Sequence, residues 1–142
     1  MQVVTPYLLY KSCEDALDWL SRAFGFEEVL RYTGAEGYVN HAEMRVGGNE
    51  SIMMGNPGAG YRNPKELGQE TVGLYVMVDD VDAHCERARA AGATIEQEPV
   101  DEEYGHRRYT ALDPEGHHWF FAAVIEEKAP EAWGATRAAA TP

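Results

Sequence analysis

The sequence predicts an α+β fold assembled from two βαβββ modules that share one core. Three observations carry this reading. The order strand, helix, strand, strand, strand is legible twice, on either side of residues 55–69, which hold four glycines and two prolines in fifteen positions. Two helices stop at Gly25 and Gly92, 67 residues apart, and the same offset lays Thr5 on Val72 and Met53 on Phe120. Half of a 142-residue chain is also too small to bury a core by itself, so the halves must share one. The expected organisation is one domain over residues 1–125, with module one at 2–56, a linker at 57–69 and module two at 70–125, followed by a tail at 126–142.

The elements follow in order. Residues 3–10 are β-branched, aromatic and leucine-rich, which predicts a strand. Ser12 offers a helix N-cap, with Asp15 as a weaker form of the capping box. Ala16, Leu17, Leu20, Ala23 and Phe24 then recur at helical spacing, and Gly25 stops the helix. Strands are predicted over 26–32, 38–46 and 51–54, with turns at 34–37 and 47–49. In module two the pattern predicts a strand over 71–78, then a helix capped by Asp79 or Asp80 and ended by Gly92. Strands over 93–98, 106–112 and 117–124 follow, the last two joined by a turn at Asp113–Gly116. The tail is rich in alanine without amphipathic period, so disorder is expected, apart from Trp133, an indole that gains by docking on its own domain or a partner.

Composition excludes several classes. Hydrophobic residues at 44% and charged residues at 25% describe a globular mixture. Acids outnumber bases 24 to 12, and a net charge of -12 argues against nucleic acid and against anionic membranes as partners. Cys13 and Cys85 cannot build a disulfide framework. The start of the chain lacks a signal-peptide pattern and no apolar run approaches the ~20 residues of a membrane helix, so a cytoplasmic location is expected. GxSxG, HExxH, the Walker loop and GxGxxG are all absent from the sequence. Cys13, near a helix N-terminus, could have a lowered pKa, but no base is identifiable beside it.

Three segments carry a family resemblance: EDALDWLSRAFGF (14–26), VDDVDAHCERARAAGATI (78–95) and YGHRRYTALDPEGHHWFFA (104–122). With them the chain resembles the vicinal-oxygen-chelate superfamily of glyoxalases, bleomycin-resistance proteins and extradiol dioxygenases, over residues 3–125. The resemblance implies paired βαβββ modules whose curled mixed sheets surround a cavity, commonly in a homodimer. It also implies, for the metal enzymes, ligands on the inner face of the first and last strands of each module. Those positions fall at Thr5, Met53, Gly73 and Phe120, and none is His, Gln, Asp or Glu. A phenyl ring cannot ligate a divalent cation. The closer likeness is therefore to the metal-lacking, bleomycin-resistance-like branch, which binds small organic molecules such as antibiotics. No cofactor is expected on that reading, with a divalent metal as the alternative.

Tyr7, Leu9, Tyr75, Met77 and Phe120 share strand parity with the lost ligand positions and would line the cavity with apolar surface and two phenols. Together with His41, Met53 and His118 they form the expected site for a small aromatic ligand. Trp119 and Phe121 have the opposite parity and should pack against the helices, with Trp19 in the core. His41 and Glu43 share a strand face and could seat a metal, hold an acid–base pair or form an ordinary polar pair. With His118 they would make the displaced metal site of a lyase, isomerase or dioxygenase, while Tyr75 or His118 could serve a metal-free enzyme. A structural or regulatory dimer without ligand is the third possibility. His84 should be solvent-exposed and His106 is uninformative. Tyr61 and Arg62 of the linker are candidates for a lid, and one of Arg107 and Arg108 should face inward, toward a ligand or the acids of 101–103. Residues 70–125 carry 12 acids and 4 bases, with five of the acids between Glu96 and Glu103. Close to the cavity mouth this loop would favour cationic ligands; elsewhere it serves solubility.

Overall fold

Both βαβββ runs are present. The computed structural model describes residues 1–140. Module one contains β1 (Tyr7–Leu9), α1 (Cys13–Phe24), β2 (Glu27–Thr33), β3 (Val39–Gly47) and β4 (Glu50–Gly55). The one-turn helix α2 (Pro64–Leu67) lies in the linker. Module two contains β5 (Gly73–Met77), α3 (Val81–Ala90), β6 (Thr94–Asp101), β7 (His106–Leu112) and β8 (His118–Val124). The two four-stranded sheets run β1-β4-β3-β2 and β5-β8-β7-β6. β1 joins β4 and β5 joins β8 in parallel, and all other pairs are antiparallel. Neither sheet closes into a barrel, because β1 and β5 remain free edges.

The helices begin and end where their local chemistry dictates. The Asp15 amide donates to Ser12 Oγ at 3.2 Å and the Ala83 amide to Asp80 Oδ1 at 3.0 Å, so both N-termini have a side-chain acceptor. Gly25, at φ 76°, closes α1 in the left-handed region. The apolar stripe of α1 is buried, and Cys13 and Trp19 join it. Buried residues of both helices and both sheets form one cluster, including Leu20, Phe24, Met44 and Met54 with Cys85, Tyr109, Trp119 and Phe121. The modules thus share a core, as the length requires.

Polar contacts fix the modules to each other. The Tyr10 hydroxyl and Trp119 Nε1 donate to Asp113 Oδ2 at 2.7 and 3.1 Å. The Glu115 carboxylate accepts from the amides of Lys11 and Ser12, and its carbonyl accepts from the Lys65 amide at 2.9 Å. Trp19 Nε1 donates across the seam to the Ala91 carbonyl at 2.7 Å. The Asp113–Gly116 turn therefore both joins β7 to β8 and pins α1 and the linker. Burial pushes the Asp113 carboxyl above its usual range, against the pull of these donors.

Four expectations are corrected. The first strand is three residues long, because before it the Gln2 side chain, not the main chain, pairs with the backbone of Ser51. The linker contains α2, nucleated by a capping box between Asn63 and Glu66 with proline at its start. The tail is ordered at Pro130–Trp133, which forms a 3-10 turn; residues 141–142 of the tail lie outside the described residues. The internal repeat holds at 67 residues for Met53 and Phe120, but β1 and β5 are offset by 68. Tyr7 pairs with Met53 as Tyr75 pairs with Phe120, so Thr5 corresponds to Gly73 rather than Val72. No helix of the described residues is long and apolar enough to cross a membrane.

Candidate functional site

Strand alternation gives each sheet two unlike faces. One carries Leu8, Ala42, Ile52 and Met54, or Tyr109, Ala111, Trp119 and Phe121, and is buried under α1 and α3. The other carries Tyr7, Leu9, His41 and Met53 in module one and Tyr75, Met77, His118 and Phe120 in module two. All eight residues expected to bind ligand thus lie on the open faces. Tyr7 is 51% exposed and Tyr75 43%, well above what a packed aromatic shows. Trp119 and Phe121 pack beneath, as their parity requires.

On module one the polar groups form a closed array. His41 Nε2 donates to Glu43 Oε2 at 2.9 Å, because a carboxylate only accepts; its Nδ1 then accepts from the Tyr7 hydroxyl at 2.9 Å. The Tyr7 ring lies over Gly55, where a Cβ would come within 2.8 Å of it.

On module two Phe120 is the centre. His118 stacks on it at 4.7 Å between centroids, Tyr75 stacks at 5.8 Å, and the Arg108 guanidinium lies 5.0 Å above the ring. The Tyr75 hydroxyl is 2.7 Å from His106 Nδ1 and 3.1 Å from the Tyr104 hydroxyl. Burial and the Tyr104 contact raise the Tyr75 pKa, so it remains a neutral phenol. Arg108 reaches Glu102 at 3.2 Å through its terminal nitrogen, but its Nε has no hydrogen-bond partner. His118 Nε2 has none either; Glu96, at 3.7 Å, is within ion-pair reach but too far for a hydrogen bond. Both nitrogens are buried, so each is an unsatisfied polar atom at the edge of the stack. The acidic segment 96–103 does border this face, but Glu98 is held by Arg89 and Asp101 by Arg107, so much of its charge is neutralised locally.

The two faces approach each other at β1 and β5, where a cleft of about 440 Å³ is lined by Tyr7, Leu9, Leu74, His118 and, from the linker, Tyr61 and Arg62. The Tyr61 hydroxyl donates to the Leu9 carbonyl at 2.9 Å, fastening the linker over this cleft, and burial with nearby acids pushes its pKa up to about 12.

The superfamily metal does not fit these residues. Its positions hold a hydroxyl, a thioether, a bare glycine and a phenyl ring. A Cβ on Gly73 would overlap Phe120, so the ring itself fills the space where ligands would converge. The displaced set is not assembled either: His41 and Glu43 lie on one sheet and His118 on the other, and His41 spends both nitrogens on Glu43 and Tyr7. Among the described residues no three His, Cys, Asp or Glu side chains are placed to hold a metal ion.

Three sequence readings change. His84 is not a surface residue: its Nδ1 is 2.6 Å from the Tyr109 hydroxyl and its Nε2 donates to the Phe24 carbonyl at 3.0 Å, and burial lowers its pKa. Cys13 is buried, and desolvation followed by Glu14 pushes its thiol up to about 12, opposite to the helix-start expectation. His106 and Tyr104, which carried no sequence signal, join the aromatic face through a strand and a turn that place them beside Tyr75. Of the arginine pair Arg108 faces the site, while Arg107 is held outside by Asp82 and Asp101.

The family model described as "Glyoxalase/Bleomycin resistance protein/Dioxygenase superfamily" matches residues 2–121. The Mycobacterium tuberculosis protein Rv0887c is 32% identical over 129 residues, covering 87% of this chain and 75% of its own. Among solved structures, TioX from Micromonospora sp. ML1 superposes with a TM-score of 0.71 at 36% identity, covering 88% of this chain and 100% of TioX. A superfamily member from Sphaerobacter thermophilus DSM 20745 superposes at 0.66 with 21% identity, over 87% of this chain and 97% of that one, and shares the fold.

Proposed function

The chain belongs to the Glyoxalase/Bleomycin resistance protein/Dioxygenase superfamily, and from that premise we propose that it binds and sequesters a small aromatic organic molecule without a metal. The observation that carries this reading is Phe120: it stands at a superfamily ligand position, half-buried on the open face, stacked by Tyr75 and His118 and beside two buried, unpartnered nitrogens that a small side-chain movement would offer to a ligand. Such a surface offers stacking area and directed hydrogen bonds, the ingredients of an organic-ligand pocket. An antibiotic of the kind named in the family description is the fitting class of ligand.

A second copy of the chain would complete the pocket. The exposed apolar side chains of the open faces, Tyr7, Leu9, Tyr75 and Met77, are the surface that a homodimer would cover. Nucleic acid and membrane are not partners on this reading, and the cytoplasm is the compartment where it would act. Titration calorimetry with a panel of bleomycin-type and planar aromatic compounds tests the proposal. Saturable heat that is lost in Phe120→Ala is the expected result, and no heat across the panel overturns it. Sedimentation velocity reads the dimer, and a monomer at micromolar concentration counts against that part alone.

A further inference from the structure

The chain continues past the residues matched by the family model, and the continuation is fastened to module two. The amides of Ile125 and Glu126 both donate to the Gly105 carbonyl, at 2.8 and 3.1 Å. Gly105 has φ 96°, and a Cβ there would overlap the Glu126 carbonyl oxygen, so only glycine permits this crossing. Lys128 Nζ then donates to the Glu103 carbonyl at 3.2 Å. The 3-10 turn Pro130–Trp133 follows, closed by Gly134 at φ 94° and by the Ala135 amide on the Pro130 carbonyl at 2.9 Å.

That path sets Trp133 edge-on to Tyr104, with ring centroids 5.9 Å apart. Tyr104 packs on His106 at 5.0 Å and touches the Tyr75 hydroxyl, and Tyr75 stacks on Phe120. An unbroken aromatic run therefore extends from the tail to the centre of the open face. Trp133 is 39% exposed, whereas Trp19 and Trp119 are buried in the core. An indole held at the end of an aromatic run, yet half in water, has area to give to a ligand.

We propose that the segment after β8 forms the outer wall of the module-two site and that Trp133 is a binding residue selecting planar fused-ring molecules over single rings. The inference rests on the binding function proposed above. A single ring seated on Phe120 has no reach to Trp133, because Tyr75 and Tyr104 lie between them. A molecule of three fused rings covers more of the run than one ring does, and seated across Tyr75 and Tyr104 it gains the indole contact at its outer end.

The test uses the full chain, with the three-ring probes 9-aminoacridine and anthracene-2-carboxylate, of opposite charge, and the one-ring probes benzamidine and benzoate. Calorimetry should show that Trp133→Ala weakens the bound three-ring probe about tenfold and leaves the matching one-ring probe unchanged. Trp133→Phe should recover most of the loss, and the wild-type indole emission should be quenched on binding. Three-ring binding that survives Trp133→Ala but is lost in Phe120→Ala overturns the wall and leaves the binding function standing. Equal weakening of both ring sizes, or a shifted urea midpoint without a change in the affinity ratio, assigns Trp133 a merely structural part and also overturns it. Failure of the wild type to bind any of the four probes overturns the wall together with the function it rests on.

Discussion

At one register position module one carries Met53 and module two carries Phe120, and the surroundings differ in kind. Around Met53 the polar groups satisfy one another: Glu43 accepts a hydrogen bond from His41 and His41 accepts one from Tyr7. Around Phe120 they do not: Arg108 Nε and His118 Nε2 stand without partners beside an aromatic stack. Beneath these positions the two modules agree, with Ile52 and Trp119 both buried. The difference teaches where each constraint acts. The face under the helices fixes the fold and must be filled in both modules. The open face bears no such load, so one copy carries a self-satisfied polar array and the other an aromatic stack with two unpartnered nitrogens.

The largest effect should come from the shared layer. Trp119→Ala removes a fully buried indole and leaves Asp113 short of a donor, so a loss of about 3–5 kcal/mol is expected in urea unfolding. Ile52→Ala, at the corresponding position, should cost about 2–5 kcal/mol. A cost under 1 kcal/mol at either position would mean that this layer does not carry the fold.

Next come the open faces, where stability and affinity should separate. Phe120→Ala should cost less stability than Trp119→Ala, because its ring is only half-buried, but reduce affinity for a planar aromatic ligand by about 2 kcal/mol, the scale of a binding hot spot. Met53→Ala should reduce it by less than about 1 kcal/mol. Paired calorimetric titrations decide this, and equal losses would abolish the asymmetry between the modules.

The same division explains what the sequence made legible. Alternation along 117–124 separates Trp119 and Phe121 from His118 and Phe120 by parity alone, and the helical stripe of α1 reads directly from its apolar spacing. All eight expected ligand residues fall on open faces for that reason. Periodicity says nothing about contacts between distant segments. His84 is half-buried although its helical position suggests exposure, because its partners, Tyr109 and the Phe24 carbonyl, come from β7 and from the other module. Tyr104 and His106 gave no signal because their place depends on the Gly105 turn and the tail that crosses it. The one-residue slip between β1 and β5 is still present at the helix N-caps, Ser12 and Asp80, and is gone at Gly25 and Gly92, so it arises along the helices, where α3 is shorter than α1 and an apolar stripe does not fix the residue count.

His84 ties α3 to the end of α1, so its protonation tests the seam between the modules. Burial holds its pKa below 6.5, with nearby Arg87 acting the same way and the Phe24 contact opposing. In the unfolded chain the imidazole titrates near 6.5, so below that pH the unfolded state binds more protons. The stability contribution is whole above 6.5 and is lost as pH falls through the depressed folded value. Urea midpoints taken from about pH 8 down to about pH 5 should therefore fall further for the wild type than for His84→Gln. Parallel curves would show that the seam does not sense this proton.

Tyr7→Phe should give the smallest effect. It deletes one half-exposed hydroxyl and its 2.9 Å contact with His41, but leaves the His41–Glu43 pair and the ring over Gly55 in place. A lost hydrogen bond of this exposure is worth no more than about 1 kcal/mol of stability, and His41 Nδ1 can turn to water. Ligand affinity should stay within a factor of about two, because a face whose polar groups already satisfy one another has little to offer a ligand. An affinity loss as large as that of Phe120→Ala would reverse the assignment: the Tyr7–His41–Glu43 array would then be the binding surface, and the stack on Phe120 its structural counterpart.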